Sequence, residues 1–479
     1  MPALDAVVVG SGPNGLAAAL VLARAGLRVL VREAAPDPGG GARTLPLTLP
    51  GFLHDHCSAI HPLAAASPLF RRLALAQHRL RWIEPPAAVA HPFDDGTAAL
   101  LLRSLDETGA TLDAADAAAW RELLAPLVER YDALLDETLG AIVHVPRHPV
   151  LLGRFGLLAL RSASALVRDR FRGPRARALL AGIAAHAMRP LDAAATAAFG
   201  LVLGAAGHAV GWPFPAGGAG RITDALVAEL AAHGGAVETS AEVRDLAELP
   251  RARAVVLDLT PRQVLRVAGA RLPARYARRL ARYRYGPAAF KVDYALAAPI
   301  PWRAAGCARA ATVHLGGSLE ELEAAEAAVA RGVLPDRPFV LVVQHTLFDP
   351  SRAPAGRHTA WAYGHVPHAF AGDATAALEA QIERFAPGFQ ERVLARAVRG
   401  PARLEADDAN LVGGDIGGGE TSLEQMIARP VASPAPWATP VRGLYLCSSS
   451  TPPGGGVHGM CGANAARVVL RDLARGRLA

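Results

Sequence analysis

Cysteine is scarce in this chain, and the little there is lies scattered. Cys57, Cys307, Cys447 and Cys461 are the only four in 479 residues, with no Cys-x-x-Cys among them. That pattern excludes a disulfide framework, a zinc ribbon and a dithiol redox pair. Aromatic residues are only 5% of the sequence, and no stretch interleaves them with basic residues as a nucleic-acid-binding surface does. The net charge of +7 arises from 50 Lys+Arg and 43 Asp+Glu spread along the whole length, so no nucleic-acid partner is expected. The longest apolar run, Pro149 to Leu160, is interrupted by Arg154 and is too short to cross a bilayer. No leader-like segment precedes the first strand, and the expected location is the cytoplasm. One basic amphipathic stretch, Arg161 to Arg177, reads as a solvated helix face, with peripheral membrane contact as the alternative.

Apolar residues are plentiful, at 51%, enough to bury a large core. The length implies two or three domains, interleaved if the chain leaves one and returns to it. Alanine-rich runs such as AAHAMRPLDAAATAAFG read as helix filler.

The first chemically informative segment is at the N-terminus. Ala6 to Val9 is a short β-branched run, followed at once by Gly10-Ser11-Gly12-Pro13-Asn14-Gly15. A helix is predicted from about Asn14 to Ala25, stopped by Gly26, then a strand over Arg28 to Arg32 that delivers Glu33. Gly10 permits a tight turn, Gly12 admits a pyrophosphate to the backbone, and Gly15 lets helix and strand pack closely. The helix N-terminus offers amides to phosphate oxygens, and Glu33 can accept from ribose hydroxyls. A lone GxGxxG says little; the order strand, turn, helix, strand, acid makes it a dinucleotide site. A second glycine cluster, Gly39-Gly40-Gly41-Ala42-Arg43, adds amides and a guanidinium just beyond the ribose acid. That favours FAD, whose pyrophosphate and ribityl chain run past this point.

Near the C-terminus stands GLYLCSSSTPPGGGVHGM (Gly443 to Met460), preceded by Gly413-Gly414-Asp415-Ile416-Gly417-Gly418. With PGFLHDHCSAIHPL (Pro50 to Leu63), these segments resemble the phytoene-desaturase-like flavoproteins of the amine-oxidase superfamily. The resemblance is strongest to the branch named for pyridine nucleotide-disulphide oxidoreductase domain-containing protein 2. It implies that the C-terminal block returns to the FAD domain, where Ser449, Gly456, Val457, His458 and Met460 line the ribityl chain and flavin ring. Many relatives carry an aspartate or a small residue where Ser449 stands here. It also implies that the segment after Gly217-Gly218-Ala219-Gly220-Arg221, a helix to about His233 and strands at Ala236–Thr239 and Ala254–Asp258, completes the domain, with Val243 near the adenine.

The expected fold is therefore α/β: a Rossmann-like, glutathione-reductase-type FAD-binding domain with an inserted α+β substrate domain. The FAD domain is expected at residues 1–95, 211–285 and 403–479, and the substrate domain at 96–210 and 286–402. The first insertion reads as helical, over Asp113–Leu139 and Val150–Ala185; the second opens with a strand at Ala289–Ala297 and has others near Phe339–His345 and His358–Gly364.

Flavin chemistry asks few side chains of the protein. Lys291, eleven residues before Trp302, is similar to a strand lysine of monoamine-oxidase-like enzymes that holds a water at flavin N5; a solvent-facing lysine is the alternative. His458 is placed by the resemblance beside the flavin, as acid/base, as support for reduced flavin, or merely as a partner for backbone groups. His54, Asp55, His56 and His61 read as a packed polar segment beside the flavin, His56 being a candidate to face substrate, and no further ligand pattern supports a metal. Asp415 is the other substrate-side candidate, although a turn aspartate explains it equally.

The leading expectation is an FAD-dependent dehydrogenase or desaturase that oxidises a lipophilic small molecule by hydride transfer to N5. A flavin amine oxidase, or a flavin-dependent isomerase or reductive cyclase of a polyene-like substrate, are the alternatives. The electron acceptor stays open between oxygen and a quinone.

Overall fold

The computed structural model describes residues 4–478. Leu4–Val9 is the middle strand of a five-stranded sheet whose order is Leu444–Leu446, Ala252–Leu257, Leu4–Val9, Val29–Arg32, Ala236–Glu238. Every pairing in it is parallel. Central strands of such a sheet are covered on both faces, which is why Val7 and Val8 are adjacent in sequence and both fully buried. The helix Pro13–Arg24 follows immediately, with Pro13 in the first turn, where a missing N–H costs nothing. Gly26, at φ +83°, turns the chain back.

The C-terminal helix Met460–Ala474 packs along this first helix. The approach is backbone to backbone: a Cβ on Gly462 would lie 1.9 Å from the Asn14 carbonyl oxygen. Gly220–Ala232 packs on the same first helix from another side. Segments from the beginning, middle and end of the chain thus close one nucleotide domain.

The second sheet has seven strands in the order Val393–Arg399, Ala288–Leu296, His358–Val366, Val340–Val343, Ala310–Leu315, Ala87–Pro92, Ala98–Leu102. It is antiparallel except where Ala310–Leu315 runs parallel to Ala87–Pro92. Ala87–Pro92 and Ala98–Leu102 form a hairpin of this sheet, so the boundary expected at residue 95 cuts through a hairpin and moves upstream of Ala87. Hydrogen bonding to Ala310–Leu315 decides that membership, and periodicity in a six-residue strand carries no trace of it.

One face of this sheet is apolar. Val292, Tyr294, Val313, Val342 and Ala362 pack there against Leu378, Ile382 and Phe385 of the helix Thr375–Phe385. The opposite face is polar and aromatic, and forms the floor of a cavity. Alternation along the strands explains the split, since neighbouring residues point to opposite faces. The roof is helical, formed by Ala117–Val128, Tyr131–Thr138, Pro149–Ala159, Ala163–Arg170, Pro174–Ala184 and Thr196–Ala209. Trp120, Leu134, Leu135, Leu179, Ile183 and Leu201 make its interior, continuous with the core of the nucleotide domain. Burying each such side chain contributes about 1.5–3 kcal/mol.

Candidate functional site

A cavity of about 1210 Å³ runs between the two sheets and up into the helical roof. One end lies at the C-terminal edge of the parallel sheet, where ligands bind in open α/β folds. Gly10, Gly12, Pro13 and Asn14 line it there, with Glu33, Gly40, Gly41, Ala42, Arg43 and Val243.

The loop geometry follows from its glycines. A Cβ at Gly15 would fall 2.1 Å from the Gly10 carbonyl oxygen; no other residue fits. Glu33 is fixed by three donors. Its Oε2 accepts from the Ser11 N–H at 2.8 Å and the Ser11 hydroxyl at 2.6 Å, and its Oε1 from the Ala35 N–H at 2.8 Å. Two carboxylate oxygens carry about four lone-pair sites, so capacity remains for a ribose hydroxyl. Arg43 donates to the Gly40 carbonyl at 2.7 Å and the Asp407 carbonyl at 3.0 Å, which locks the second glycine turn beside the first.

The two ends of the chain meet here. Asn14 Nδ2 and the Ser449 hydroxyl are 3.4 Å apart, and both residues line the cavity with Gly456, Val457 and His458. His458 Nδ1 accepts the Met460 N–H at 3.0 Å, which leaves the ring proton of a neutral imidazole on Nε2. Burial lowers its pKa to about 4, so the ring is neutral near pH 7. Nε2 is buried and, among the described residues, has no partner. His458 is thus a fixed hydrogen-bond donor on the cavity wall. Met460 supplies that N–H but does not itself line the cavity; its side chain lies in the core.

Asp258 and Asp408 also line this end, and the sequence reading did not single them out. Asp258 Oδ2 accepts the Gly15 N–H at 2.8 Å, and Asn410 Nδ2 donates to the Asp258 carbonyl at 2.9 Å. Burial raises the Asp258 pKa to about 8, outweighing the Gly15 bond, with the Asp408 and Glu33 charges adding to the rise. A signal was available: Asp258 follows a strand, at the edge where parallel sheets place their ligands.

The far half of the cavity has a different lining. Thr312, Leu341, Val343, Trp361 and Tyr363 form the floor, and Leu152, Phe155, Phe199, Val202, Leu203 and Trp212 line the roof. Trp361 and Tyr363 are stacked, with ring centroids 5.5 Å apart. The Trp361 indole N–H and the Thr312 hydroxyl are buried without a partner among the described residues. Cys57 lies on the wall, its thiol pushed up to about 11 by burial, so it is not a thiolate nucleophile at neutral pH.

Three expected chemical residues sit behind this wall instead of on it. Lys291 is buried, so the solvent-facing alternative is wrong, but it does not line the cavity. Its ammonium bonds Asp293 and lies 5.1 Å from the Trp361 ring centroid. Asp293 also accepts from Arg399 at 3.0 Å, and Arg399 meets His56 Nδ1 at 2.6 Å and the His56 carbonyl at 2.7 Å. His56 is therefore corrected from the substrate side to a buried ion cluster. Asp415 moves likewise, because its oxygens accept the Gly286 N–H at 2.8 Å and the Gly417 N–H at 2.7 Å and it lies off the cavity.

The His54-Asp55-His56 run alternates between two such clusters. His54 and His56 turn to Asp293 and Arg399. Asp55, pointing the other way, accepts from Arg352 at 2.7 Å and from the Ala219 N–H at 2.7 Å. It thereby ties the Gly217–Gly220 loop to Arg352 of the substrate domain. Among the described residues no His, Cys, Asp and Glu side chains group so as to hold a metal.

The residues present fit FAD. The turn at Gly10–Gly15 and Arg43 would take the pyrophosphate, Glu33 and Val243 the adenosine, and Asn14, Ser449 and His458 the ribityl and ring portion. Orphaned polar atoms on Asn14 (Oδ1) and His458 (Nε2) lie on that path.

Comparison with known proteins agrees with this geometry. A family model described as an NAD(P)-binding Rossmann-like domain matches residues 8–74. Pyridine nucleotide-disulfide oxidoreductase domain-containing protein 2 of Rattus norvegicus is 29% identical over 98% of this chain and 94% of its own length. Hydroxyneurosporene desaturase of Rhodobacter capsulatus is 60% identical over a short stretch, 42 residues, or 9% of this chain and 8% of that protein. In fold, the chain is similar to putrescine oxidase solved with putrescine, at TM-score 0.62 and 19% identity over 98% of this chain and 99% of that one. Taken with the two-ended dinucleotide site, these likenesses support an oxidoreductase of the flavin-binding type, similar over nearly its whole length to pyridine nucleotide-disulfide oxidoreductase domain-containing protein 2 and similar in fold to amine oxidases.

Proposed function

We propose that this protein is an FAD-dependent dehydrogenase or desaturase that oxidises a largely apolar small molecule. The observation that carries this reading is the continuity of the cavity. One continuous space joins the nucleotide loop to an arm walled by Leu152, Phe155, Phe199, Val202 and Leu203. Its volume of about 1210 Å³ exceeds the range usual for a drug-sized ligand alone, about 300–1,000 Å³. Bound FAD supplies the two-electron acceptor.

The chain's own residues then bind, orient and exclude water. The apolar arm takes the bulk of the substrate by burial of its surface. The Trp361 indole N–H and the Thr312 hydroxyl offer donors for one oxygen or nitrogen function, fixing which end enters first. His458, held neutral, donates from Nε2 to charge that develops beside it and does not take up a proton at neutral pH.

An amine oxidase is the second reading, and the stacked Trp361–Tyr363 pair favours it more than the aromatic count alone implied. A carboxylate that lines the cavity, Glu137, would attract a cationic amine, but its charge is already shared among three donors. Glu137 already accepts from the Arg147 and His148 N–H groups at 2.8 and 2.6 Å and from His144 at 2.6 Å.

The test is anaerobic mixing of the flavin-loaded protein with a panel of alkenes, isoprenoids and their alcohols, and with a panel of primary amines. Loss of the oxidised flavin spectrum with the apolar panel is expected. Loss with the amines alone would replace this reading with the second; product formed from a polyene without net flavin reduction would replace it with isomerisation.

A further inference from the structure

Soluble surfaces seldom gather large apolar side chains, yet this one does so in a single place. Of the eleven large apolar side chains exposed among the described residues, six fall within residues 142–160. Val145 is 90% exposed, Leu157 78%, Val143 74% and Val150 64%. The helix Pro149–Ala159 buries Leu151, Phe155 and Ala159 on its inner side and shows Val150 and Leu157 outside. Arg154 is its only charged residue, so its outer side is largely apolar too, which packing against the core does not require of a surface helix.

The charged side chains within the stretch itself have one sign, the neighbouring Glu137 carboxylate being buried. From Thr138 to Arg168 the sequence contains Arg147, Arg154, Arg161 and Arg168 and no aspartate or glutamate. Arg147 and Arg154 are exposed and form no ion pair among the described residues. After Pro149–Ala159 the chain bends by 96° into Ala163–Arg170. No single described helix is long and apolar enough to span a bilayer.

The patch is continuous with the cavity. Ile142 and Leu160 both line it and are both exposed, at 46% and 56%, so the apolar arm reaches the surface between them.

We propose that residues 142–160 form a surface that docks on an anionic lipid bilayer, with Val143, Val145, Val150 and Leu157 entering the headgroup boundary and Arg147 and Arg154 meeting lipid phosphates. Apolar side chains gain by leaving water, and basic side chains gain near anionic headgroups. The mouth of the substrate arm then opens against lipid, and an apolar substrate passes from bilayer to cavity without crossing water. This surface immediately precedes Arg161–Arg177, the stretch that the sequence reads as a solvated helix face with membrane contact as the alternative. The docking surface stands on its own, whereas the route of entry rests on the apolar-substrate reading above.

The experiment is co-sedimentation of the purified full chain with vesicles of phosphatidylcholine mixed with phosphatidylglycerol, and with phosphatidylcholine alone. Binding to the mixed vesicles is expected, weakened by salt. Arg147→Glu with Arg154→Glu should weaken it roughly thirtyfold or more, and Val145→Asp with Leu157→Asp should abolish it. All four side chains are exposed, so circular dichroism and retained flavin should be unchanged, separating loss of docking from loss of fold. A wild-type chain that stays in the supernatant with both vesicle types overturns the proposal. So does a chain that light scattering shows to be a dimer through this face, returned to monomer by the aspartate variants; that result would give the surface to a second copy. Because sedimentation is read without any substrate, its failure is distinct from failure of the dehydrogenase reading.

Discussion

Two ionisable side chains in the nucleotide half carry opposite consequences for pH. Asp258 is an acid whose folded pKa, about 8, stands above its usual 3.8. The folded chain therefore holds a proton that the unfolded chain has lost over that interval, and the contribution to stability falls as pH rises from about 4 to about 8. Above pH 8 the carboxylate is charged at the loop that would take the pyrophosphate. FAD affinity is expected to fall roughly tenfold or more between pH 6.5 and pH 9, by Coulomb repulsion at an effective dielectric of about 20. Asp258→Asn should remove that loss while keeping an acceptor for the Gly15 N–H. Titration of apoprotein with FAD at the two pH values checks this, and an equal decline in the variant would put the pH dependence elsewhere. His458, with a pKa of about 4, should leave activity flat from about pH 5.5 to 8. His458→Phe deletes the Nε2 donor, and a five- to tenfold weaker FAD affinity is expected from one lost hydrogen bond of about 1–1.5 kcal/mol.

At the scale of elements, the contact that closes the nucleotide domain is a glycine facing a helix backbone. Gly462→Ala drives a methyl into the Asn14 carbonyl and should cost several kcal/mol by forcing the C-terminal helix away, seen as a lower thermal midpoint and loss of FAD together. The buried cluster beneath Trp361 gives a contrast between two variants. Asp293→Ala leaves Lys291 and Arg399 buried without their shared counter-charge, at a cost of about 3–5 kcal/mol. Lys291→Met leaves the Asp293–Arg399 pair intact and should cost far less. Urea denaturation of both variants decides it; equal losses would mean that Lys291, not Asp293, organises the cluster. With Lys291 behind Trp361, Lys291→Met should also leave flavin reoxidation by oxygen close to wild type.

The N-terminal elements were legible because each residue had a local reason: a β-branched strand, a glycine turn, a helix stop at Gly26 and an acid after the second strand. Lys291, His56 and Asp415 were not legible in the same way. Their types suit chemistry, but their direction depends on partners such as Arg399 and Gly286, more than a hundred residues away from His56 and Asp415 respectively. The boundary expected at residue 95 splits the hairpin of Ala87–Pro92 with Ala98–Leu102 for the same reason, since a long-range strand pairing places it. His458 was found by resemblance, yet its tautomer came only from the Met460 N–H.

For the whole molecule, the central claim is one FAD held jointly by the two ends of the chain and opening on an apolar arm. A ligand that binds only the folded chain stabilises it by about 2.7 kcal/mol at a hundredfold excess over Kd, so FAD should raise the thermal midpoint measurably. The most direct measurement is the FAD content of the purified protein after saturation and gel filtration, beside that of Gly12→Val. A Cβ at Gly12 already falls 2.8 Å from Asp258 Oδ2, where the pyrophosphate must approach. The account predicts one FAD per wild-type chain and none in the variant, with the circular dichroism of the two unchanged. A wild-type chain that takes up no FAD, or a variant that holds it as tightly, would contradict it.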